Sequence, residues 1–469
     1  MAKRRCCANS GSNGAAATTS AFASSPSRAI RRHTCRACST RPAPEPGKSR
    51  IGIPQSNTST AWTGGQYSVA RVLFGAYLCV HFLHLAPWAA EVYSNRGALP
   101  DAADSPFALL FPNILAWFDP PWFVTGVALV AAAASVLLAV GRFDRVAAIL
   151  IWYVLACQFG RNPLTLNPSL PFVGLLLIVH AMLPAAPYGS LGARGRPDPG
   201  GGWRLPAPLF VAVWIVMAIG YTYSGCTKLI SPSWLDGTAM AHVLENPLAR
   251  PTMLRAWLLD LPDWMLKVAT WTGLGLELAF APLALFRRTR PWIWLLLLGM
   301  HVDLLILIDF ADLSLGMVML HVFTFDPSWL PARGGEKDQV YYDGHCGLCH
   351  RTVRFVLAED PAGAVFVFSP LQSEAFERSV PEDERARLPD SIVVRTADGR
   401  LLTQSVAIAH MLDRLGGMWR IAAHLMRIVP RPVRDVIYRG IAAVRRKVFA
   451  TPDGVCPMLP PEIRERFVM

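Results

Sequence analysis

The chain has 469 residues, of which 52% are hydrophobic and 17% charged, with a mean hydropathy of +0.32. Soluble domains carry about a quarter charged residues, so this composition excludes a purely soluble enzyme and an extended disordered protein, and it fits several membrane spans plus one soluble part. The formal charge of +12 is read as basic loops facing lipid, and with no recognition motif beside it nucleic acid is not expected as a partner.

Residues 1–62 read as a disordered basic tail rich in Ser, Ala, Arg and Pro, with no acidic residue before Glu45. No apolar run of signal-peptide length occurs there, and the composition is that of a transit peptide or a basic arm. Cys35 and Cys38 lie inside it with no strand before them and no apolar helix after, and they read as coincidence. Apolar runs then predict a helical membrane domain over 63–331, with about eight spans near 68–91, 122–141, 145–160, 168–185, 207–230, 264–286, 291–309 and 313–330. Most approach the ~20 residues that a bilayer requires. Interfacial Trp residues such as Trp88, Trp122, Trp234 and Trp264 flank them. With the N-terminus inside, the inner loops hold Arg142, Arg145, Arg194, Arg196, Arg204, Arg287, Arg288 and Arg290, against Arg96, Arg161, Arg250 and Arg255 outside. The bias predicts that both termini are cytoplasmic.

After Pro331–Lys337 the composition turns to that of a soluble α/β domain, 338–469. Val340–Tyr342, Ala364–Phe368, Ser391–Thr396 and Arg400–Thr403 read as strands, the last two joined by an Asp398-Gly399 turn. Helices are predicted through Thr352–Ala358, from Ser405, and over Val433–Phe449, the last carrying Arg445, Arg446 and Lys447.

Ten cysteines do not make a disulfide scaffold, so their spacing carries the information. Cys346 and Cys349, two residues apart, follow an apolar strand and open a helix, where free backbone N–H groups and the helix dipole favour a thiolate. Cys346 is the candidate nucleophile and Cys349 the resolving thiol. A half zinc site drawing on His345, His350 and Cys456 is the rival reading. No second paired ligand motif supports it, so no metal is expected.

The run Tyr342, Asp343, Cys346, Cys349, then Arg354-Phe355 and Phe368–Ser373, with Ser405, Ala407, Trp419, Ile428–Pro430, Tyr438 and Cys456, resembles the DCC family of thiol-disulfide oxidoreductases. The resemblance implies a thioredoxin-like fold and a role for Asp343, either orienting or deprotonating Cys349 or capping the helix. Pro389, ahead of a strand, stands where thioredoxin-like folds place a cis-proline, although an ordinary loop proline fits its spacing better.

In the membrane part Lys228 ends a span, and an intramembrane lysine is a functional candidate by default, set against a snorkelling interfacial one. Tyr223, Gly225, Lys228 and Leu229, followed by Trp234 and Gly237, with His301 and Leu313–Met317, are similar to the HTTM domain, related to vitamin K-dependent γ-carboxylase. In that carboxylase the matching lysine deprotonates a reduced quinone. The carboxylase continues into a large extramembrane region, whereas here the chain passes within about ten residues into the α/β domain, so glutamate carboxylation is not expected and Lys228 alone is carried over. His81 and His84 share a helix face as metal or quinone ligands would, with a structural pair the better reading. Glu277 is a partner for Lys228 or Arg71.

Together these features predict a membrane-anchored thiol-disulfide oxidoreductase in a bacterial plasma membrane. It would need no cofactor for the cysteine chemistry, with a quinone-like ligand in the membrane domain as a variant. Its partners would be membrane lipids and a thiol or disulfide substrate. The alternative is a lipid- or small-molecule-binding membrane protein with a redox-sensing cysteine pair.

Overall fold

A computed structural model of the chain describes residues 59–448 and 461–468, apart from 109, 166, 197–199 and 201. Cys35, Cys38 and Cys456 lie outside the described residues. The described residues begin inside the segment read as tail: Ser59–Thr63 is a strand, antiparallel to Arg204–Pro206. Trp62 is fully buried and its Nε1 donates to the Phe325 carbonyl at 2.9 Å. β-branched Thr60 and Thr63 around a tryptophan suit a strand, but so short an element is masked by the polar sequence before it.

Eight apolar helices follow: α1 (Gly64–Leu85), α2 (Pro121–Val140), α3 (Asp144–Arg161), α4 (Leu170–Met182), α5 (Ala207–Lys228), α6 (Asp263–Leu285), α7 (Arg290–Leu307) and α8 (Ala311–Thr324). Of these α1, α2, α5, α6 and α7 are long and apolar enough to cross a membrane. α3 carries Asp144, Arg145 and Arg161, and α4 and α8 have 13 and 14 residues. Outward-facing positions are apolar, as lipid requires; Ile215 and Leu296 are 54% and 53% exposed. α1 stops at Leu85 rather than at 91, because Pro87 cannot donate to a helical carbonyl, and a separate short helix, Ala89–Tyr93, follows.

The C-terminal part contains β1 (Asp338–Tyr342), α9 (Gly347–Glu359), β2 (Phe366–Pro370), β3 (Val393–Arg395), β4 (Leu401–Thr403), α10 (Gln404–Leu415), α11 (Gly417–Ile428) and α12 (Arg431–Val448). The sheet order is β2-β1-β3-β4. β1 and β2 are parallel, joined through α9, while β3 runs antiparallel to both β1 and β4. β1 is central and covered on both faces, so Val340, Tyr341 and Tyr342 are all buried. The Asp398-Gly399 hairpin turn is present, with Gly399 at φ +84°. α10 and α11 are separate helices because Gly416 and Gly417, at φ +75° and +54°, stand at their junction.

The two parts are joined by hydrogen bonds. Glu359, the last residue of α9, accepts from the Thr63 hydroxyl, from the Gly65 amide at 3.0 Å and from Trp419 Nε1 at 2.6 Å. Gly65 and Thr63 form the start of α1, where a carboxylate meets unpaired N–H groups. A Cβ on Gly65 would stand 2.2 Å from Glu359 Oε1, so only glycine admits the contact. The Gly417 amide donates to the Leu330 carbonyl at 2.6 Å, the Met418 amide to Gln66 Oε1 at 3.0 Å, and Arg354 to the Arg196 carbonyl at 2.7 Å.

Candidate functional site

β1 delivers the chain into a tight turn at its C-terminal end. Asp343 Oδ1 accepts from the His345 amide at 3.0 Å and from Gln372 Nε2 at 3.1 Å, while Gln372 Oε1 receives the Gly344 amide at 3.1 Å. The Cys346 amide returns to the Asp343 carbonyl at 3.1 Å. Asp343 therefore shapes the turn and does not cap the helix. The cap is Cys346 itself, in extended conformation, whose Sγ accepts from the Cys349 amide at 3.4 Å. A sulfur here takes the place of the usual Ser or Asp oxygen, in the polarity that favours negative charge.

Both cysteines are free thiols and buried, Cys346 at 2% and Cys349 at 7% exposure. Burial pushes the Cys349 thiol up to about 12; the hydrogen bond and charge of Cys346 add to the shift, and a backbone hydrogen bond at Asp343 and the Arg445 cation oppose it. Cys349, but not Cys346, lines a cavity of about 250 Å³ walled by Ile392, Ile408, Ile437, Tyr438, Ile441 and Arg445, among others.

Arg445 is the residue of this site that sequence reasoning missed. It reads as one of three basic residues on a helix face, yet it is only 3% exposed, pairs closely with Asp390 and lies 4.0 Å from Asp343 Oδ2. Burial works against its charge, but Asp390, with both cysteine sulfurs contributing, holds the guanidinium above the ordinary arginine value. Only the fold, which lays α12 across the start of α9, reveals its burial. Pro389 adjoins Asp390 in the loop before β3; no cis peptide bond occurs among the described residues. Nor does any group of three potential metal ligands, His, Cys, Asp or Glu, occur among them.

A second polar cluster lies among the membrane helices. Lys228 Nζ contacts both carboxylate oxygens of Glu277 at 2.5 Å, Ser224 Oγ at 3.3 Å and the face of Trp234 at 4.5 Å. Glu277 thus pairs with Lys228 and not with Arg71, whose nearest carboxylate is Asp144 at 3.9 Å. The neighbouring glycines have physical reasons: a Cβ on Gly225 would press on Leu278 at 3.0 Å, next to Glu277, and Gly237 has φ +86°. On the same face of α5, Tyr221 bonds His301 Nε2 at 2.8 Å, and the His321 ring centroid is 5.8 Å from that of His301. His301 Nδ1 and His321 Nε2 are buried without hydrogen-bond partners. His81 and His84 do not work as a pair: His81 bonds Asp312 at 3.0 Å, and His84 is exposed.

The arrangement defines a membrane protein that carries an α/β domain with a cysteine pair at a helix start. Residues 63–329 match the family model of the HTTM domain, and residues 340–451 that of the DCC1-like thiol-disulfide oxidoreductase. The first match spans more than half the chain, which belongs to the HTTM domain family, with a DCC1-like domain fused behind it. The C-terminal part is 36% identical over 131 residues to the uncharacterized protein YuxK of Bacillus subtilis, 27% of this chain and 90% of that protein. It is 30% identical over 113 residues to a chloroplastic DCC family protein of Arabidopsis thaliana, 24% of this chain and 65% of that protein. No solved structure matches the chain significantly.

Proposed function

We propose that the protein is a membrane-anchored thiol-disulfide oxidoreductase of the protein-disulfide reductase type, with all eight apolar helices in the bilayer and the DCC1-like domain on the cytoplasmic side. The observation that carries this reading is the Cys346 sulfur at the start of α9, receiving the Cys349 amide. The sheet order and the parallel β1-α9-β2 unit support a thioredoxin-like reading of the domain. Cys346 thiolate attacks a substrate disulfide, forming a mixed disulfide and releasing one substrate thiol. Cys349 gives up its proton and attacks Cys346 Sγ, closing the Cys346–Cys349 bond and releasing the second thiol. Two electrons pass to the substrate, and no cofactor is required. Asp343 and Arg445 position the pair and balance its charge.

The test is a thiol titration of the full-length protein in redox buffers, with insulin-disulfide reduction as the activity. A two-electron transition lost in Cys346→Ser and in Cys349→Ser, with reduction abolished in Cys346→Ser, supports the reading. Reversible oxidation without exchange activity supports a redox-sensing pair instead, and thiols that never pair refute both.

A second reading is favoured by the cluster of Lys228, Glu277, Tyr221, His301 and His321, in which two imidazole nitrogens lack partners. Such a polar site among apolar helices suits a quinone-like ligand, with Lys228 as its proton-handling group. Solvent extraction of the purified protein, compared with a Lys228→Ala variant, decides whether a quinone is held there.

A further inference from the structure

α11 and α12 carry an apolar face that nothing among the described residues covers. Ile421, Leu425 and Ile428 on α11 and Val433, Val436 and Val444 on α12 are between 39% and 76% exposed. They recur at helical spacing, so each helix presents one apolar stripe. Within 417–448 the sequence holds eight Arg and Lys residues, of which Arg445 is buried at the cysteine site, and a single acid, Asp435. A helix with an aliphatic stripe, an arginine-rich polar face and few acids is suited to lie in the plane of an anionic membrane surface.

The placement of α11 selects that partner. Its first residues are bonded to both ends of the membrane domain: Gly417 to Leu330, beyond α8, and Met418 to Gln66, in the first turn of α1. At 1.5 Å per residue, the 12 residues of α11 reach only ~18 Å from that anchor. The stripe therefore starts at the level where the membrane helices end.

We propose that α11 and α12 dock their apolar face onto the anionic leaflet of the bilayer that holds α1–α8, on the side of the DCC1-like domain. Ile437 and Ile441 belong both to the exposed face of α12 and to the cavity beside Cys349, so docking sets the mouth of that cavity at the lipid surface. The inference rests on the membrane placement of the helices and is independent of the cysteine chemistry.

The experiment is photo-crosslinking of full-length protein in lipid nanodiscs. Benzoylphenylalanine replaces Val436 or Leu425, with Leu296 on α7 as a lipid-facing control and Arg378, 71% exposed, as a water-facing one. Lipid adducts at 436 and 425, with about threefold or more yield in phosphatidylglycerol-containing discs than in pure phosphatidylcholine, support docking. An adduct at 296 with none at 436 and 425 overturns docking alone, as does a crosslink to a second copy or another protein. Equal yields in both lipids overturn the anionic assignment. No adduct at 296 overturns the membrane placement itself, a failure that insulin reduction and thiol titration do not report.

Discussion

Removing the Glu359 carboxylate should loosen the DCC1-like domain from the membrane helices. The Glu359 oxygens receive the Gly65 amide, Trp419 Nε1 and the Thr63 hydroxyl, and the side chain is buried. In Glu359→Ala the Gly65 and Trp419 donors lose their acceptor, at about 1–3 kcal/mol each. Burial raises the proton affinity of Glu359 against its hydrogen bonds, and relief of that burden offsets part of the loss. We take the low end, about 2 kcal/mol, or roughly thirtyfold in the opened fraction. Glu359→Gln keeps one acceptor oxygen, leaves one donor unmatched and should cost about 1 kcal/mol, roughly fivefold. Hydrogen exchange of the Gly65 and Met418 amides reads the opening directly. The sign of the pH effect follows from the raised value: the docked state binds the proton more readily, so docking is strongest below the ordinary glutamate range and weakens as pH rises through the raised value. The Gln variant should lose this dependence. Exchange within twofold of wild type in the Ala variant, or faster exchange in Gln than in Ala, refutes the reasoning.

Because burial is the largest cause that raises the Cys349 thiol and it persists without the Cys346 sulfur, Cys349 in a Cys346→Ser variant should alkylate slowly at pH 8 and faster as pH rises; ready iodoacetamide labelling at pH 8, read by mass spectrometry, contradicts this. Arg445→Met should lower the reduction potential of the pair, since the cation favours the thiolate form; a loss of about 1 kcal/mol corresponds to on the order of 20 mV, measured against glutathione, and an unchanged potential removes Arg445 from the site. Lys228→Met leaves Glu277, whose side chain is 5% exposed, without its partner. With Lys228 at 21% exposure, the loss should be about 1–3 kcal/mol, short of the full buried-pair value. Adding Glu277→Leu should recover most of it in detergent melts; two additive losses would show that the pair is not coupled.

The cysteine site was legible because an apolar strand, an Asp-Gly turn and a Cys pair two residues apart compress the whole local geometry into twelve residues, 338–349. The apolar helices were legible for the same reason, since hydropathy is a local property, and five of them are long and apolar enough to cross a membrane. What escaped depends on distant packing. Glu359 reads as an ordinary helix end until Thr63 and Gly65 fold against it, nearly three hundred residues away in sequence. Arg445 stands in a run of three basic residues, and only the crossing of α12 over α9 buries it. Gly225 belonged to a recognised pattern, but its reason, the approach of Leu278 that lets Glu277 reach Lys228, needs the packing of α6 on α5.

Lys228 lies a full helix length along α5 from the domain junction. The strand Arg204–Pro206, immediately before α5, pairs with Ser59–Thr63, and Thr63 in turn bonds Glu359 of the DCC1-like domain. That fixes the start of α5 at the domain junction. Lys228 closes the same helix, 22 residues on, which at 1.5 Å per residue is ~33 Å away. A quinone ring held by Lys228 would therefore sit about that far from the junction. That length weighs against direct thiol-to-quinone transfer through Lys228. Coupling over such a length would be mechanical or carried by a diffusing molecule. The mechanical route is defined: α9 carries the cysteine pair at its first turn and Glu359 at its last, so a change at the sulfurs reaches the start of α1 along one rigid helix of 13 residues. If that route operates, oxidising Cys346 and Cys349 should change hydrogen exchange at Gly65 in wild type, and Glu359→Ala should abolish the response while leaving insulin reduction intact.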